Sequence, residues 1–290
     1  AVVTQPLAMY PRVRVAARTI ARVERPVASG SETTGETQPL EIAFDSSAGG
    51  LVVSGELAVG DSVSRLVAYR DQRGAFLAAM SAALATRGVS VAGRLRAPPP
   101  RPDTLFVYSS PALAQILPAF EKPSQNQIGE ILLKTLGLER SGFGRADSAR
   151  RVVDSQLVSW GAEPDGFVVR DGSGLSRYNY LTPETIVRVL DVMRRRPDFR
   201  VFYDALPIAG VDGTIRTRMR GTPAAGNVRA KTGTLSNARS LSGYVTTANG
   251  RMLIFSLLCN NWTVPVREIN AVQDAIAVRL ASLDEPRADR

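Results

Sequence analysis

Lys231-Thr232-Gly233-Thr234-Leu235 is the stretch whose reading decides the fold. It opens a run of three segments with strand character: Arg229 to Leu235, Ala238 to Thr247 and Arg251 to Asn260. The last two meet at Asn249-Gly250, a strong hairpin signal, because both central residues of a tight turn must accept positive φ. On such a strand Thr232 and Thr234, two apart, face one side. A lysine at a strand edge sets a positive charge beside a cleft. It can hold an anionic substrate and favour the deprotonated form of a nearby hydroxyl. Gly233 has no side chain, so another backbone or a substrate can approach closely. The backbone N–H of Thr234 is a candidate oxyanion donor.

Helical patterns flank these strands. Val266 to Leu280 places Ile269, Val272, Ile276 and Leu280 on one stripe, expected to face inward. Upstream, Thr182 caps a helix with Pro183 at its first position and a stripe of Ile186, Leu190 and Met193. Asn126 to Leu136 reads as a helix with Ile128, Ile131, Leu132 and Thr135 on one face and Gly137 as terminator. Pro111 to Phe120 reads as a short helix entered from Ser109-Ser110. The fold class expected is α/β (α+β), with an antiparallel sheet covered by helices.

Residues before about 102 read differently. Val13 to Val23, Leu40 to Phe44, Gly50 to Val59 and Val63 to Tyr69 have strand character, with a Ser/Thr/Gly-rich loop at Ser29 to Pro39. Ala75 to Thr86 is Ala/Leu/Met-rich and helical, ending before Gly88, and Val89 to Gly93 reads as a short strand. Ala97-Pro98-Pro99-Pro100-Arg101-Pro102 fits neither helix nor inner strand and serves as a stiff connector. The expected division is residues 1–102 and 103–290.

Composition narrows the chemistry. The chain has 290 residues, 44% of them hydrophobic and 22% charged, which suits ordinary globular material with ample core. The net charge of +9 comes from arginine, because the lysines are only Lys122, Lys134 and Lys231. The arginines are scattered and lack the aromatic interleaving of a nucleic-acid reader, so no nucleic-acid role is expected. There is no histidine, which excludes a Ser-His-Asp triad and an ordinary zinc site. Cys259 stands alone in an apolar run and reads as a small core residue. The longest apolar stretch, Met252 to Cys259, is too short to span a bilayer.

Two further motifs carry candidates. Ser124-Gln125-Asn126 precedes the second helix. Ser124 with Gln127 three residues on is also a capping-box pattern, which would spend the hydroxyl on helix N–H groups. The functional alternative has Ser124 relaying a proton and Asn126 donating its amide to a substrate carbonyl. Asp171-Gly172-Ser173-Gly174-Leu175-Ser176-Arg177 is a dense polar turn whose glycines suit positive φ. Val211-Asp212-Gly213-Thr214 is a further turn shortly before the lysine strand.

Together these stretches resemble the class C penicillin-binding proteins, the D-alanyl-D-alanine carboxypeptidase/endopeptidase family of the penicillin-binding protein 4 type. The resemblance rests on Ser109 to Ala114, on Ser124-Gln125-Asn126 with Leu132 to Gly137, and on Asp171 to Arg177, Gly210 to Thr214 and Ala230 to Thr234. It runs from about residue 88 to the end. It implies a partial β-lactamase/transpeptidase-like domain preceded by part of a β-rich insertion. It implies Ser124, Asn126 and Lys231 as catalytic residues, and Thr232, Gly233, Thr234, Asp171 and Ser173 as substrate-binding ones. The implied partners are peptidoglycan stem peptides and β-lactams, the implied compartment is extracytoplasmic (periplasmic), and no metal or organic cofactor is implied.

One departure is plain. The family's Ser-x-x-Lys motif needs a serine three positions before a lysine, and those positions hold Ala119, Ile131 and Val228. The chain is therefore expected to be the C-terminal portion of a longer enzyme, inactive in acyl transfer by itself. A non-catalytic cell-wall-peptide-binding module, and a β-lactamase or esterase on the same scaffold, are the alternatives.

Overall fold

Short runs rich in valine and isoleucine pair as antiparallel strands in the first unit, Ala1–Leu105, of the computed structural model. β1 (Val2–Thr4) pairs with β2 (Arg12–Ala16), β3 (Glu41–Asp45) pairs with β4 (Gly50–Ser54), and β5 (Ser62–Leu66) returns to β2. The helix α1 (Gln72–Ala85) follows, and Gly88 beyond it takes φ +76°. The structure describes residues 2–4, 12–16, 40–45, 50–56, 62–66, 72–90, 104 and 107–284. The expected strand ends at 17–23, 57–59 and 67–69, the loop at 29–39, residues 91–93 and the connector at 97–102 lie outside these. Val89 and Ser90, expected to begin a strand, do not.

The second unit, Phe106–Arg290, begins with helices. They are α2 (Leu113–Glu121), α3 (Asn126–Ser141) and α4 (Ala146–Ser159). A two-residue ladder of β6 (Phe167–Val168) and β7 (Tyr180–Leu181) brackets the Asp171–Arg177 loop. Then come α5 (Pro183–Arg194), α6 (Phe199–Ala205) and a 3-10 turn at Gly213–Ile215. β8 (Arg229–Leu235), β9 (Ala238–Thr246) and β10 (Met252–Asn260) form an antiparallel sheet in the order β10-β9-β8, and α7 (Val266–Ala281) ends the unit. The fold class is the mixed one expected, with antiparallel strands and covering helices.

Strand alternation splits the core in two. Ala230, Leu241, Val245 and Phe255 pack with Ala277 and Ala281 of α7 and with Ile215 of the 3-10 turn. Tyr244 sits on the opposite face among Leu190 of α5, Leu206 and the rings of Phe199, Phe202 and Tyr203. Its hydroxyl donates to the carbonyl of Leu190 at 2.7 Å, so the buried polar end is satisfied. Thr182 caps α5 as expected, its Oγ1 accepting from Thr185 N at 3.2 Å.

Two helix faces differ from the sequence reading. α3 buries Gly129, Leu133 and Gly137, while Ile131 is 51% exposed. Gly137 does not end the helix. A Cβ there would meet the carbonyl oxygens of Phe143 and Arg145 at 2.9 Å, so the glycine admits the chain leading into α4. The terminator is Gly142, at φ +73°, whose N–H reaches Leu138 O at 2.9 Å. α7 likewise turns Gln273, Ala277 and Ala281 inward and leaves Val272 and Ile276 exposed. The alanines let the helix lie close to the sheet. Gln273 is held by Arg218 Nη2 at 3.2 Å, which offsets the cost of burying its amide. α2 starts at Leu113, two residues after the expected Pro111.

The reassigned face of α3 makes a direct comparison. Leu133→Ala should lower unfolding stability by about 2–4 kcal/mol, and Ile131→Ala should change it by under about 0.5 kcal/mol. Urea denaturation of both variants checks this, and the reverse ranking would contradict the observed face.

Candidate active site

Half of the outer edge of β8 is covered. The Ala230 N–H leaves the sheet to reach Pro207 O at 3.0 Å, and Ala209 N bonds Val228 O at 3.0 Å. In an antiparallel strand the outward N–H groups alternate. Those of Thr232 and Thr234 therefore leave by the same edge as that of Ala230. The covering segment is itself anchored. Asp212 accepts from Ile208 N at 2.9 Å and from Lys122 Nζ at 2.6 Å, and Lys122 Nζ also reaches Leu206 O at 3.1 Å. Gly213, at φ +60°, leaves room for the Lys122 carbonyl, which a Cβ would meet at 2.8 Å. An ion pair and a glycine contact thus fix the turn after α2 against the segment that flanks β8.

That turn carries Ser124 at φ +59°, a conformation that costs a non-glycine residue about 1 kcal/mol. The serine does not cap α3. The N-cap is Gln125, without a side-chain cap bond. The Ser124 hydroxyl instead accepts from Lys231 Nζ at 2.7 Å, and the same ammonium donates to Thr232 O at 2.8 Å. The two side chains singled out from the sequence meet in one place. Burial lowers the pKa of Lys231, and the carboxylate of Glu121 at the end of α2 partly opposes this. Burial likewise raises the pKa of Glu121, opposed by Lys231.

Thr232 donates to Thr214 Oγ1 at 2.8 Å, which ties β8 to the 3-10 turn. At Gly233 a Cβ would fall 2.3 Å from Ser240 Oγ, so the missing side chain makes room for the neighbouring strand. Thr234 is exposed and accepts from Nη1 of Arg239, its cross-strand partner. Asn126 opens α3 and is exposed.

The Asp171–Arg177 loop docks one turn along α3. A Cβ on Gly129 would lie 2.4 Å from Gly172 O, and one on Gly172 would lie 2.2 Å from Gly129 O. Glu130 receives the N–H groups of Gly172 at 3.1 Å and Ser173 at 3.0 Å. Asp171 accepts from Gly174 N at 2.8 Å, Ser176 N at 2.6 Å and Asn179 Nδ2 at 2.8 Å. Its carboxylate is engaged in holding the loop. Among the described residues, Ser173 Oγ accepts only a long 3.5 Å contact from Leu175 N.

Sequence reading missed Glu121, Lys122, Glu130 and Arg239. Lys122 alone carried a signal, as one of three lysines and two residues from Ser124. Among the described residues, no group of three or more His, Cys, Asp or Glu side chains is placed to hold a metal. Among the same residues no helix is long and apolar enough to cross a membrane.

Comparison with known proteins places this geometry in context. The model of the D-Ala-D-Ala carboxypeptidase 3 (S13) family matches residues 10–283. A D-alanyl-D-alanine carboxypeptidase from Actinomadura sp. is 42% identical over 184 residues, covering 62% of this chain and 34% of that protein. The D-alanyl-D-alanine carboxypeptidase DacB of Haemophilus influenzae is 32% identical over 183 residues, covering 61% of this chain and 38% of that protein. The crystal structure of penicillin binding protein 4 (dacB) from Haemophilus influenzae, complexed with a novel β-lactam, superposes with a TM-score of 0.69 at 25% identity. That match covers 85% of this chain and 60% of the crystal structure. The matched part therefore spans between 34% and 38% of the length of these two curated relatives.

The Lys231–Glu121 pair sets a titration with a defined sign. Glu121→Gln removes the charge that raises the Lys231 pKa, so the value should fall further. Lys231→Met removes the charge that lowers the Glu121 pKa, so that value should rise further. With three lysines in the chain, side-chain NMR titration resolves Lys231. An unmoved Lys231 pKa in Glu121→Gln would refute the pairing.

Proposed function

The chain belongs to the D-Ala-D-Ala carboxypeptidase 3 (S13) family, and from that premise we propose that it forms the downstream wall of the cleft of a serine-type D-Ala-D-Ala carboxypeptidase/endopeptidase. The observation that carries the reading is the 2.7 Å hydrogen bond from Lys231 to Ser124 beside an open strand edge. The substrate is a peptidoglycan stem peptide ending in D-Ala-D-Ala, and β-lactams enter the same cleft. The compartment is extracytoplasmic, as that substrate requires.

Each group then has a task. The peptide lies extended along β8, where the outward N–H of Thr234 supplies one oxyanion donor. Thr234 receives the terminal carboxylate, and Thr232, whose hydrogen goes to Thr214, braces the strand beside it. Asn126 donates its amide to a substrate carbonyl. A serine outside this chain attacks the carbonyl between the two D-alanines. The C–N bond breaks, D-alanine leaves with a proton, and water later hydrolyses the acyl-enzyme. Ser124, held by Lys231, relays to the departing amine the proton that the attacking serine gives up. Asp171 and Ser173 shape the far wall through the loop docked on Gly129.

The chain has no serine three positions before any lysine, and this favours one competing reading, a module that binds cell-wall peptides without cleaving them. Division into a partial β-rich insertion, residues 1–102, and a partial catalytic domain, residues 103–290, belongs to the same proposal.

A fluorescent penicillin separates the readings. The full-length protein should label covalently at a serine outside this chain, and Lys231→Ala should slow labelling by about a hundredfold or more. No labelling at saturating probe would overturn the enzyme reading.

A further inference from the structure

Seven arginines of the second unit are matched to aspartates, and others carry no such pair among the described residues. Arg145, Arg194, Arg195, Arg196, Arg200, Arg218 and Arg229 each pair with a carboxylate. Arg239 has none among the described residues. It is half-buried, and its Nη1 donates to Thr234 Oγ1. Its Nε is buried and has no partner among the described residues. A guanidinium carries five N–H donors and no acceptor, and burying one of them unpaired is costly. What sets Arg239 apart is this orphaned Nε on a guanidinium that reaches from β9 to Thr234 of β8, a group whose unmet demand an anion would satisfy.

We infer that Arg239 recognises the terminal carboxylate of the D-amino-acid peptide; this deepens the proposed function and rests on it. Register fixes the placement. Arg239 lies directly opposite Thr234, so both side chains rise from the same face of the sheet, with Thr232 two residues back on that face. The contact also orients the threonine. A hydroxyl that accepts from Arg239 keeps its own hydrogen free to donate. An incoming carboxylate then meets the Thr234 hydroxyl and the guanidinium together, a charge-assisted arrangement stronger than two neutral bonds. Lys231 stands on the opposite face of β8 and is engaged with Ser124, so the two cations have separate duties: Lys231 at the proton relay and Arg239 at the chain end.

Peptide binding to the full-length protein distinguishes the inference from the reading beneath it. The probes are N-acetyl-D-Ala-D-Ala as the free acid and as its C-terminal amide, titrated against the wild type, Arg239→Gln and Arg239→Lys by NMR. The wild type should prefer the acid. Arg239→Gln should lose that preference by about tenfold or more, with amide binding unchanged, and Arg239→Lys should keep part of it. A preference retained in Arg239→Gln would overturn the inference and leave the reading standing. So would an equal loss for acid and amide, which marks a merely structural role. Full-length wild type that binds neither peptide would overturn the reading and the inference with it.

Discussion

One hydrogen bond closes a stretch of 107 residues: the ammonium of Lys231 reaches the hydroxyl of Ser124 at 2.7 Å. Much else in the second unit serves to bring those two atoms together. The lysine needs a strand with an open edge, so β8 is covered only as far as Ala230. The serine needs a turn held in an unfavourable backbone conformation, and Lys122, Asp212 and Gly213 hold it. Burial favours loss of the proton from Lys231, and the carboxylate of Glu121 partly opposes it. The arrangement keeps a charge in a half-buried place by surrounding it with acceptors.

Much of the fold was legible because its signals are local. The hairpin at Asn249-Gly250, where Gly250 alone of the two takes positive φ, the Thr182 cap and the three strands each follow from residues within a few positions. The buried faces of α3 and α7 were not legible, because hydrophobicity was the wrong guide. Both helices approach their neighbours on small residues, Gly129 and Gly137 in one and Ala277 and Ala281 in the other. The closest packing is made where there is least side chain, and a stripe of isoleucine and valine drew the eye to the outer surface. Gln273 compounds this, since a buried amide looks like a surface residue until Arg218 is seen beside it.

The site divides along the same line. Motif residues such as Ser124 and Lys231 announce themselves through a rare combination of types. Glu121, Glu130 and Arg239 do not, because their roles depend on partners far away in sequence or across a hairpin. Glu130 is an ordinary helical glutamate until the loop at Gly172 and Ser173 presents it with two N–H groups. Ser124 shows the converse. A capping pattern was available, yet the stronger partner, a half-buried ammonium, took the hydroxyl.

The contact between Gly129 and Gly172 has an evolutionary consequence. Each glycine excludes any larger residue at the other's carbonyl, so neither can drift alone without prising the loop off the helix. The fit is a matter of space alone: even a methyl group at either position is too large, so two residues without side chains hold the loop and the helix at one separation.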